Sequence, residues 1–320
     1  MSISLQSIPT SQVANERIAI LLCTYQGETY LPAQLDSFAA QTHPNWIVWA
    51  SDDGSSDATP QLLEDYQRRW ACGRLMILAG PRKGFVANFM SLLCSPGLAA
   101  DYYALSDQDD IWHADKLQRA ANWLRQIPED VPALYCTRTE LIDEAGRSLG
   151  YSPLFRRPPS FANALVQNVA GGNTMVINNA ARNLLLEAGA NLDIVAHDWW
   201  IYIAISACGG HVYYDSQPSL QYRQHGGNLI GANAGLVARL QRIQLLFRGR
   251  LKTWTDQHIV ALTPLLPKLT PVNRRIYERF VKARQRCLLP RIVGLKRSGV
   301  YRQTALGNLG LLAAAISNRI

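Results

Sequence analysis

Three carboxylates stand close together in the segment Ser106-Asp107-Gln108-Asp109-Asp110, directly after an apolar run at residues 102–105. Carboxylates at the end of a buried strand are costly unless an opposite charge offsets them. A cation such as Mg²⁺ can do so, because it prefers carboxylate oxygens and substrate phosphates as ligands. Asp107 and Asp109 are two residues apart and would point the same way on an extended chain. The segment alone predicts, with equal weight, a metal–diphosphate site or a solvated acidic loop.

Two earlier apolar runs also end in polar residues. Residues 18–23 are followed by a polar stretch at 24–28, and residues 47–50 by an acidic one at 51–57. Short continuous apolar runs are typical of parallel strands that are buried on both faces. In open α/β sheets, ligands bind outside the carboxyl ends of the strands. Three such ends indicate one ligand-binding crevice.

The elements that would position these residues alternate between strand and helix. Apolar spacing predicts helices over 30–41, 58–69 and 85–93, and strands over 75–78 and 133–136. Such alternation produces right-handed βαβ units. We therefore expect an α/β fold with a parallel sheet flanked by helices. Further helices are predicted over 179–189 and 199–208, and late strands over 213–214 and 220–222.

Five segments in order resemble motifs of the family 2 inverting glycosyltransferases, which have the GT-A fold and use nucleotide-sugar donors. They are residues 24–28, 52–57, 84–88, 107–109 and 197–200, and the resemblance covers roughly residues 17 to 230. The resemblance implies a Rossmann-like sheet that is mixed but mostly parallel and is flanked by helices. Together with a loop Arg that can hold phosphate oxygens bidentately, it implies a donor-binding set. That set is Thr24, Tyr25, Glu28, Asp52, Asp53, Asn88, Asp107 and Arg223.

The same resemblance implies the metal site and the base. Asp109 would hold Mg²⁺ or Mn²⁺. From its position on a loop after a late strand, His225 would be a further metal ligand or would donate to a phosphate, and the alternative is a structural His. Asp198 would be the catalytic base, and the alternative is a helix N-cap. His197 stands where the family commonly has Glu; it would orient Asp198, contact the acceptor or be structural. The expected acceptor-side residues are Trp112, Gly172, Asn173, His197 and Trp199.

The pair Gly171-Gly172 allows a second interpretation. It precedes an apolar stretch at 175–177 and would lie under the acceptor and the sugar in the resembling family. The alternative is a tight turn in which glycine supplies a positive φ. The sequence favours neither.

Composition indicates a folded protein. Of 320 residues, 48% are hydrophobic and 18% are charged. The N-terminus lacks a signal-peptide pattern, and the apolar stretch at 309–316 is far shorter than the ~20 residues that cross a bilayer. The six cysteines are scattered without metal-site spacing. We expect a reduced, cytoplasmic protein.

Charge is unevenly distributed along the chain. Residues 233–320 contain 17 Lys and Arg against Asp256 and Glu278, a net charge of +15, which leaves −7 for residues 1–232. The predicted organisation is a polar tail at 1–16, a GT-A domain at 17–234 and a basic helical region at 235–320. The basic region would be a solvated helical cap or a platform on an anionic membrane, at the inner face of the bacterial cytoplasmic membrane. No base-reading motif accompanies the charge, so we expect no nucleic-acid partner.

The segments 107–112 and 222–228 resemble the rhamnosyltransferase-like branch of the family. The expected reaction is metal-dependent, inverting transfer of rhamnose from dTDP-rhamnose to a hydroxyl of a cell-surface glycan or lipopolysaccharide acceptor. A UDP-hexose donor is the main alternative. A sugar nucleotidyltransferase is remote, because residues 24–28 lack a Gly-rich loop with Lys or Arg. A non-catalytic scaffold would not need all four of Asp52, Asp107, Asp109 and Asp198.

Overall fold

The computed structural model of the chain describes residues 16–226 and 250–320. Eleven strands occur in these two ranges: β1 (Ile18–Thr24), β2 (Trp46–Asp52), β3 (Leu75–Ala79), β4 (Tyr102–Ser106), β5 (Ile111–Trp112), β6 (Ala133–Thr137), β7 (Glu140–Ile142), β8 (Ser148–Tyr151), β9 (Val176–Asn178), β10 (His211–Asp215) and β11 (Leu220–Arg223). Seven of them form a sheet in the order β10-β6-β9-β4-β1-β2-β3. All neighbours are parallel except β9, which is antiparallel to both β4 and β6. The predicted mixed, mostly parallel sheet is confirmed.

The strand register explains why three polar loops meet. Thr24 pairs with Asp52, and Leu22 pairs with Ser106, so β1, β2 and β4 end at the same edge of the sheet. A smaller sheet in the order β5-β11-β7-β8 stands beside this edge. In it Gln221 pairs with Ile111, which brings the end of β11 next to the loop after β4.

Helices cover both faces of the large sheet. Those of the first part are α1 (Leu31–Ala39), α2 (Thr59–Arg69), α3 (Phe85–Leu93), α4 (Lys116–Leu124), α5 (Phe161–Ala164), α6 (Asn179–Ala188) and α7 (His197–Ala207). Alternate residues of β1 point to opposite faces, as the pleat requires. Ile18, Ile20 and Leu22 pack with α1, α2 and α4, whereas Ala19 and Leu21 pack with α3, α6 and α7. Two hydrophobic layers therefore fix the sheet and its functional edge.

The basic C-terminal region is helical, as predicted. Its helices are α8 (Arg250–Ala261), α9 (Pro271–Arg284), α10 (Leu288–Ser298) and α11 (Ala305–Ile316). Leu251, Leu265 and Phe280 belong to the same hydrophobic core as α6 and α7. Because this core is shared, the C-terminal helices contribute to the stability of the part of the chain that contains α6 and α7. None of the helices within 16–226 or 250–320 is long and apolar enough to cross a bilayer.

Some boundaries differ from those predicted from sequence. The helix predicted over 199–208 spans His197–Ala207, and the one predicted over 30–41 spans Leu31–Ala39. Pro271 is the first residue of α9, where its missing N–H costs nothing. The predicted boundary between 234 and 235, the first part of the basic region and nearly all of the polar tail lie outside the described residues.

Candidate active site

The loops after β1 and β2 are joined by hydrogen bonds. Glu28 accepts from the backbone N–H of Ala58 at 2.9 Å, and the N–H of Glu28 donates to Asp57 at 3.0 Å. The Thr24 hydroxyl donates to Asp52 at 2.9 Å. Thr24 and Glu28, both predicted to contact the donor, therefore fix the position of one loop against the other.

The two carboxylates that follow β2 serve different loops. Asp52 is half-buried and accepts from the hydroxyl of Ser55 at 2.6 Å and from its N–H at 2.9 Å. Asp53 is buried and accepts the N–H groups of Arg82 at 2.6 Å and Gly84 at 2.7 Å. Asp53 thus shapes the turn that begins α3, whereas Asp52 stays at the edge of the crevice, where the sequence expects the base of the donor.

Asn88 lies beneath the site rather than in it. Its side-chain amide is buried, donates to the carbonyl of Ser51 at 2.9 Å and accepts from the Ser51 hydroxyl at 2.6 Å. These two bonds attach α3 to β2. Because the amide is buried and engaged, the structure argues against the direct donor contact predicted for Asn88.

Gln108, which the sequence analysis did not assign, connects the acidic loop after β4 to the loop after β1. Its amide donates to the carbonyl of Tyr25 at 2.8 Å and accepts from the N–H of Tyr25 at 2.8 Å. A Cβ on Gly27 would lie 2.3 Å from Gln108 Oε1, so only glycine permits this approach. The Tyr25 side chain remains 58% exposed at the crevice edge and is available to stack on a base. In the sequence, the position of Gln108 between Asp107 and Asp109 was the feature that could have indicated this role.

The two predicted metal ligands lie next to each other. His225 Nε2 is 2.8 Å from Asp109 Oδ2, although the residues are 116 positions apart in the chain. The pairing of β5 with β11 brings them together. A carboxylate oxygen beside an imidazole nitrogen is a donor set that suits Mn²⁺, and the carboxylate also suits Mg²⁺.

Arg223 is buried and faces carbonyl oxygens. Its Nε donates to the carbonyl of Asp109 at 3.2 Å, and its Nη1 to that of Glu144 at 3.0 Å. The guanidinium also lies over the Tyr30 ring, 4.7 Å from its centroid. These contacts connect the β7–β8 turn to the loop that follows β4. They account for Arg223 without a phosphate, so its predicted contact with the donor stays a prediction.

Asp107 lies in a region of negative electrostatic potential. Burial, followed by the charges of Asp109 and Asp198, raises the pKa of Asp107 to about 7. The influence of Asp198 places the predicted base in the same electrostatic environment as the acidic loop. A divalent cation would relieve this potential, so the residues fit such a group. No cluster of three or more His, Cys, Asp or Glu side chains suited to a metal occurs among the described residues.

Asp198 lies in the first turn of α7, which begins at His197 with Ala196 as the N-cap residue. The predicted alternative, Asp198 as the N-cap, is therefore wrong. Its carboxylate accepts the N–H of Trp199 at 2.6 Å and the N–H of Gly172 at 3.2 Å. Burial raises the pKa of Asp198 to about 6 despite these bonds. A carboxylate with this pKa can accept a proton near neutral pH.

His197 is a buried packing residue, which is the structural role among the three expected for it. Its ring is 4% exposed and stacks on Phe89 at a centroid distance of 3.9 Å, and neither ring nitrogen has a hydrogen-bond partner within the described ranges. Burial lowers the pKa of His197 to about 3, so the ring is neutral. The ring therefore neither orients Asp198 by a hydrogen bond nor reaches the crevice surface, contrary to the expected acceptor contact.

Gly172 is required by close packing rather than by its backbone angle. Neither Gly171 nor Gly172 has a positive φ, so the turn predicted on that basis is wrong. A Cβ on Gly172 would lie 2.6 Å from Nε2 of His197. The small residue lets the backbone N–H of Gly172 reach Asp198 above the buried His197 ring.

A buried polar network, absent from the sequence analysis, supports this turn. Lys116 is fully buried, donates to the carbonyl of Asn173 and lies 3.7 Å from the centroid of the Trp112 ring. Asn173 donates from its amide to Asp110 at 2.7 Å, and the other oxygen of Asp110 has no partner in the described chain. Burial lowers the pKa of Lys116, whereas burial and the charge of Asp109 raise that of Asp110. Lys116 lies four residues before the buried Ala120 on the same helix. This spacing was the one feature of the sequence that could have indicated that Lys116 is buried.

Trp112 and Trp199 are packing residues in this structure. Trp112 is buried against Phe38, with ring centroids 4.6 Å apart. Trp199 donates from its indole to the carbonyl of Ala164 at 2.7 Å and packs edge-on against Trp254 of α8. Both rings are buried, and the acceptor contacts expected from the sequence stay predictions. Asn173 likewise acts from within the network, not at the surface.

Comparison with known proteins gives a consistent result. Residues 19–181 match a family described as glycosyl transferase family 2. The dTDP-rhamnosyl transferase RfbG of Shigella flexneri is 27% identical over 271 residues, which span 81% of this chain and 89% of the relative.

Two solved structures show the fold. The S. aureus protein TarS (residues 1–349), in complex with UDP-GlcNAc, aligns with a TM-score of 0.55 at 14% identity and covers 95% of this chain and 88% of its own. The mannosyltransferase PcManGT from Pyrobaculum calidifontis, in complex with GDP-Man and Mn²⁺, aligns with a TM-score of 0.50 at 16% identity, covering 95% and 86%.

Proposed function

Since the chain belongs to glycosyltransferase family 2 and has the GT-A fold, we propose that it is a metal-dependent, inverting rhamnosyltransferase. The donor would be dTDP-rhamnose, and the acceptor a hydroxyl group of a cell-surface glycan or lipopolysaccharide. The relative in Shigella flexneri named a dTDP-rhamnosyl transferase supports this choice of donor. The observation that carries the reaction type is Asp198, a half-buried carboxylate that has a raised pKa and whose charge raises the pKa of Asp107.

The donor would bind along the edge formed by β1, β2 and β4. Tyr25 and Asp52 stand where the base and ribose would lie, and Asp107 and Asp109 where the diphosphate would lie. Asp109 and His225 would hold Mg²⁺ or Mn²⁺, which when bound neutralises charge on the leaving diphosphate. Gln108 and Arg223 keep these loops in place through the backbone of Tyr25 and Glu144.

Asp198 would act on the acceptor. Its carboxylate takes the proton of the acceptor hydroxyl while that oxygen forms a bond to the anomeric carbon. The bond from the anomeric carbon to the donor phosphate breaks, and its electron pair leaves with the diphosphate. Attack from the opposite face inverts the configuration. The N–H of Gly172, at 3.2 Å, holds the carboxylate in position and donates to its anionic form.

The test is donor turnover by the full chain. We would measure release of nucleoside diphosphate from dTDP-rhamnose, UDP-hexoses and GDP-sugars, with Mg²⁺, Mn²⁺ or a chelator. We expect slow hydrolysis of dTDP-rhamnose that is lost with chelator and in Asp109→Asn. Asp130→Asn, an exposed carboxylate away from the crevice, is the matched control and should keep wild-type turnover. Preference for a UDP-hexose would replace the donor but keep the mechanism, whereas formation of a nucleotide sugar from nucleoside triphosphate would overturn it.

The proposed site of action is the inner face of the bacterial cytoplasmic membrane. Residues 250–320 carry fourteen Lys and Arg against Asp256 and Glu278, and anionic lipids attract such segments. Co-sedimentation of the full chain with vesicles of phosphatidylcholine, with or without phosphatidylglycerol, tests this partner. We expect binding only to the anionic vesicles, and equal partitioning to both would contradict it. A truncation is unsuitable, because Leu251, Leu265 and Phe280 belong to the shared core.

A further inference from the structure

A cationic groove lies between α9 and α10, on the C-terminal helices. It encloses a volume of about 860 Å³. Four basic side chains line it: Arg279, Lys282, Arg286 and Arg297. Three apolar residues complete its walls: Leu289, Pro290 and Val293. Ala283 and Gly294 form the floor, where a Cβ on Gly294 would lie 2.7 Å from that of Ala283. We call this feature the α9–α10 groove.

The charge of the groove is one-sided. Among the described residues, no acidic side chain lines it. Of the two acidic residues in 250–320, Asp256 is paired with Arg284 at 2.7 Å, outside the groove. Four like charges around one cavity repel each other, and this cost falls when an anion binds between them. The groove therefore selects an anionic partner.

The apolar walls select the kind of anion. The Leu289 side chain is 72% exposed and that of Val293 is 47% exposed, between the basic side chains. A nucleotide or a free phosphate would leave these apolar groups in water. A phospholipid surface matches both features, because its phosphates meet the cations while the acyl region covers Leu289 and Val293.

We infer that the α9–α10 groove is the surface by which this protein docks on an anionic phospholipid bilayer. This assignment rests on the membrane association proposed above and gives it a defined location. It is distinct from the exposed apolar residues of α11, which are Leu306, Leu309, Leu312 and Ile316. That helix contains no charged residue, so it offers no contact for lipid phosphates.

The charge test uses two matched pairs of reversals in the full-length protein. Lys282→Glu/Arg297→Glu changes the groove. Arg275→Glu/Lys296→Glu changes exposed residues of the same two helices outside it, with the same change in net charge. One Lys or Arg near an anionic surface is worth about fivefold in partitioning. We expect the groove pair to bind phosphatidylglycerol vesicles at least about 25-fold more weakly than wild type, and the control pair to lose much less. Equal losses would mean diffuse attraction and would overturn the groove.

The apolar test separates the groove from other exposed patches. Leu289→Gln/Val293→Gln should weaken vesicle binding and leave the remaining binding more sensitive to salt. Val260→Gln/Val272→Gln, exposed apolar residues on α8 and α9, should bind as wild type does. Loss in Leu309→Gln/Leu312→Gln, with the groove pair unchanged, would assign docking to α11 and overturn the proposal. Circular dichroism and melting temperature confirm that each variant is folded.

Donor hydrolysis in solution keeps the proposals separable. The groove variants should hydrolyse the donor at the wild-type rate without vesicles, since the groove contains no residue of the proposed active site. If the wild-type protein hydrolyses no donor, the transferase proposal is overturned, but the vesicle-binding comparison between the variants can still be interpreted. Hydrolysis without any binding of wild type to anionic vesicles would overturn the docking surface alone.

Discussion

In the loop after β2, Asp52 and Asp53 each accept at least two hydrogen bonds from nearby loop residues, at 2.6 to 3.3 Å. In the loop after β4, Asp110 keeps one buried oxygen without a partner in the described chain. Burial raises the pKa of Asp107 and that of Asp110, and the charge of Asp109 raises both further. Both loops follow parallel strands and both are rich in Asp, yet only one is electrostatically satisfied.

The difference between the two loops distinguishes carboxylates that fix the shape of a loop from carboxylates that are available to bind a ligand. Carboxylates that accept backbone N–H groups stabilise their loop and need no further partner. Carboxylates held close together without such donors lower stability, and they are retained where an incoming charge will use them. By this criterion the loop after β2 forms the wall of the crevice, and the loop after β4 is its reactive side. Asp198 combines both features, because its carboxylate accepts two backbone N–H groups and burial nevertheless raises its pKa.

The largest expected effect comes from removing the proposed base. Asp198→Asn should lower kcat by about 10²–10⁴-fold, the usual contribution of a general base. Its melting temperature at neutral pH should be slightly lower than that of wild type, because an Asn side chain has one acceptor oxygen for the two N–H groups of Trp199 and Gly172. Single-turnover rates and thermal melts measure both. A variant that keeps its activity would show that another group accepts the proton.

The next effect concerns the buried cation behind the reactive loop. Lys116→Met removes a charge that lowers the pKa of Asp110 and leaves the buried carbonyl of Asn173 without its donor, and should lower the free energy of unfolding by about 1–3 kcal/mol. Adding Asp110→Asn should restore part of this loss, because the uncompensated charge disappears. Urea unfolding of the single and double variants gives the coupling energy. Additive losses would mean that Lys116 and Asp110 do not interact.

How much of the structure could be predicted from the sequence depends on the kind of interaction. Apolar runs and polar ends predicted the strands and the crevice, because burial follows periodicity. Asp198 and the Asp109–His225 pair came from motifs, and the structure places them in one region. The positions of Asn88, His197, Trp112 and Trp199 were missed, because motif membership does not report whether a side chain faces the crevice or the core. Lys116 escaped because its partner Asn173 is 57 residues away in the chain.

A stability contrast between the two loops tests the comparison directly. Asp53→Asn replaces one acceptor by a donor facing the N–H of Arg82 or Gly84, and should cost about 1.5–3 kcal/mol. Asp107→Asn removes a repelled charge and should be neutral or stabilising in the absence of metal. Chemical denaturation of both variants in chelator measures the difference. Equal destabilisation would remove the distinction drawn between the loops.

A smaller effect is expected at the turn that holds Asp198. Gly172→Ala places a Cβ 2.6 Å from the His197 ring, which is itself packed on Phe89. Such overpacking costs about 1–3 kcal/mol and should displace the N–H that donates to Asp198. We expect lower thermal stability together with lower kcat. Gly171→Ala, whose Cβ would meet its nearest neighbour at 3.3 Å, is the milder control.

The last prediction concerns pH. Asp198 must be deprotonated to accept the acceptor proton, and burial raises its pKa from an ordinary 3.8 to about 6. At saturating metal, kcat/KM should therefore fall about tenfold per pH unit below pH 6 and level off above it. The sign for stability is opposite: a raised carboxyl pKa favours folding at low pH, and this contribution is lost as pH rises through 6. Rate profiles and thermal melts from about pH 5 to pH 8 should show both trends. Asp198→Asn should abolish the second trend, and an acid limb near pH 4 would mean that the carboxylate is not held as the structure places it.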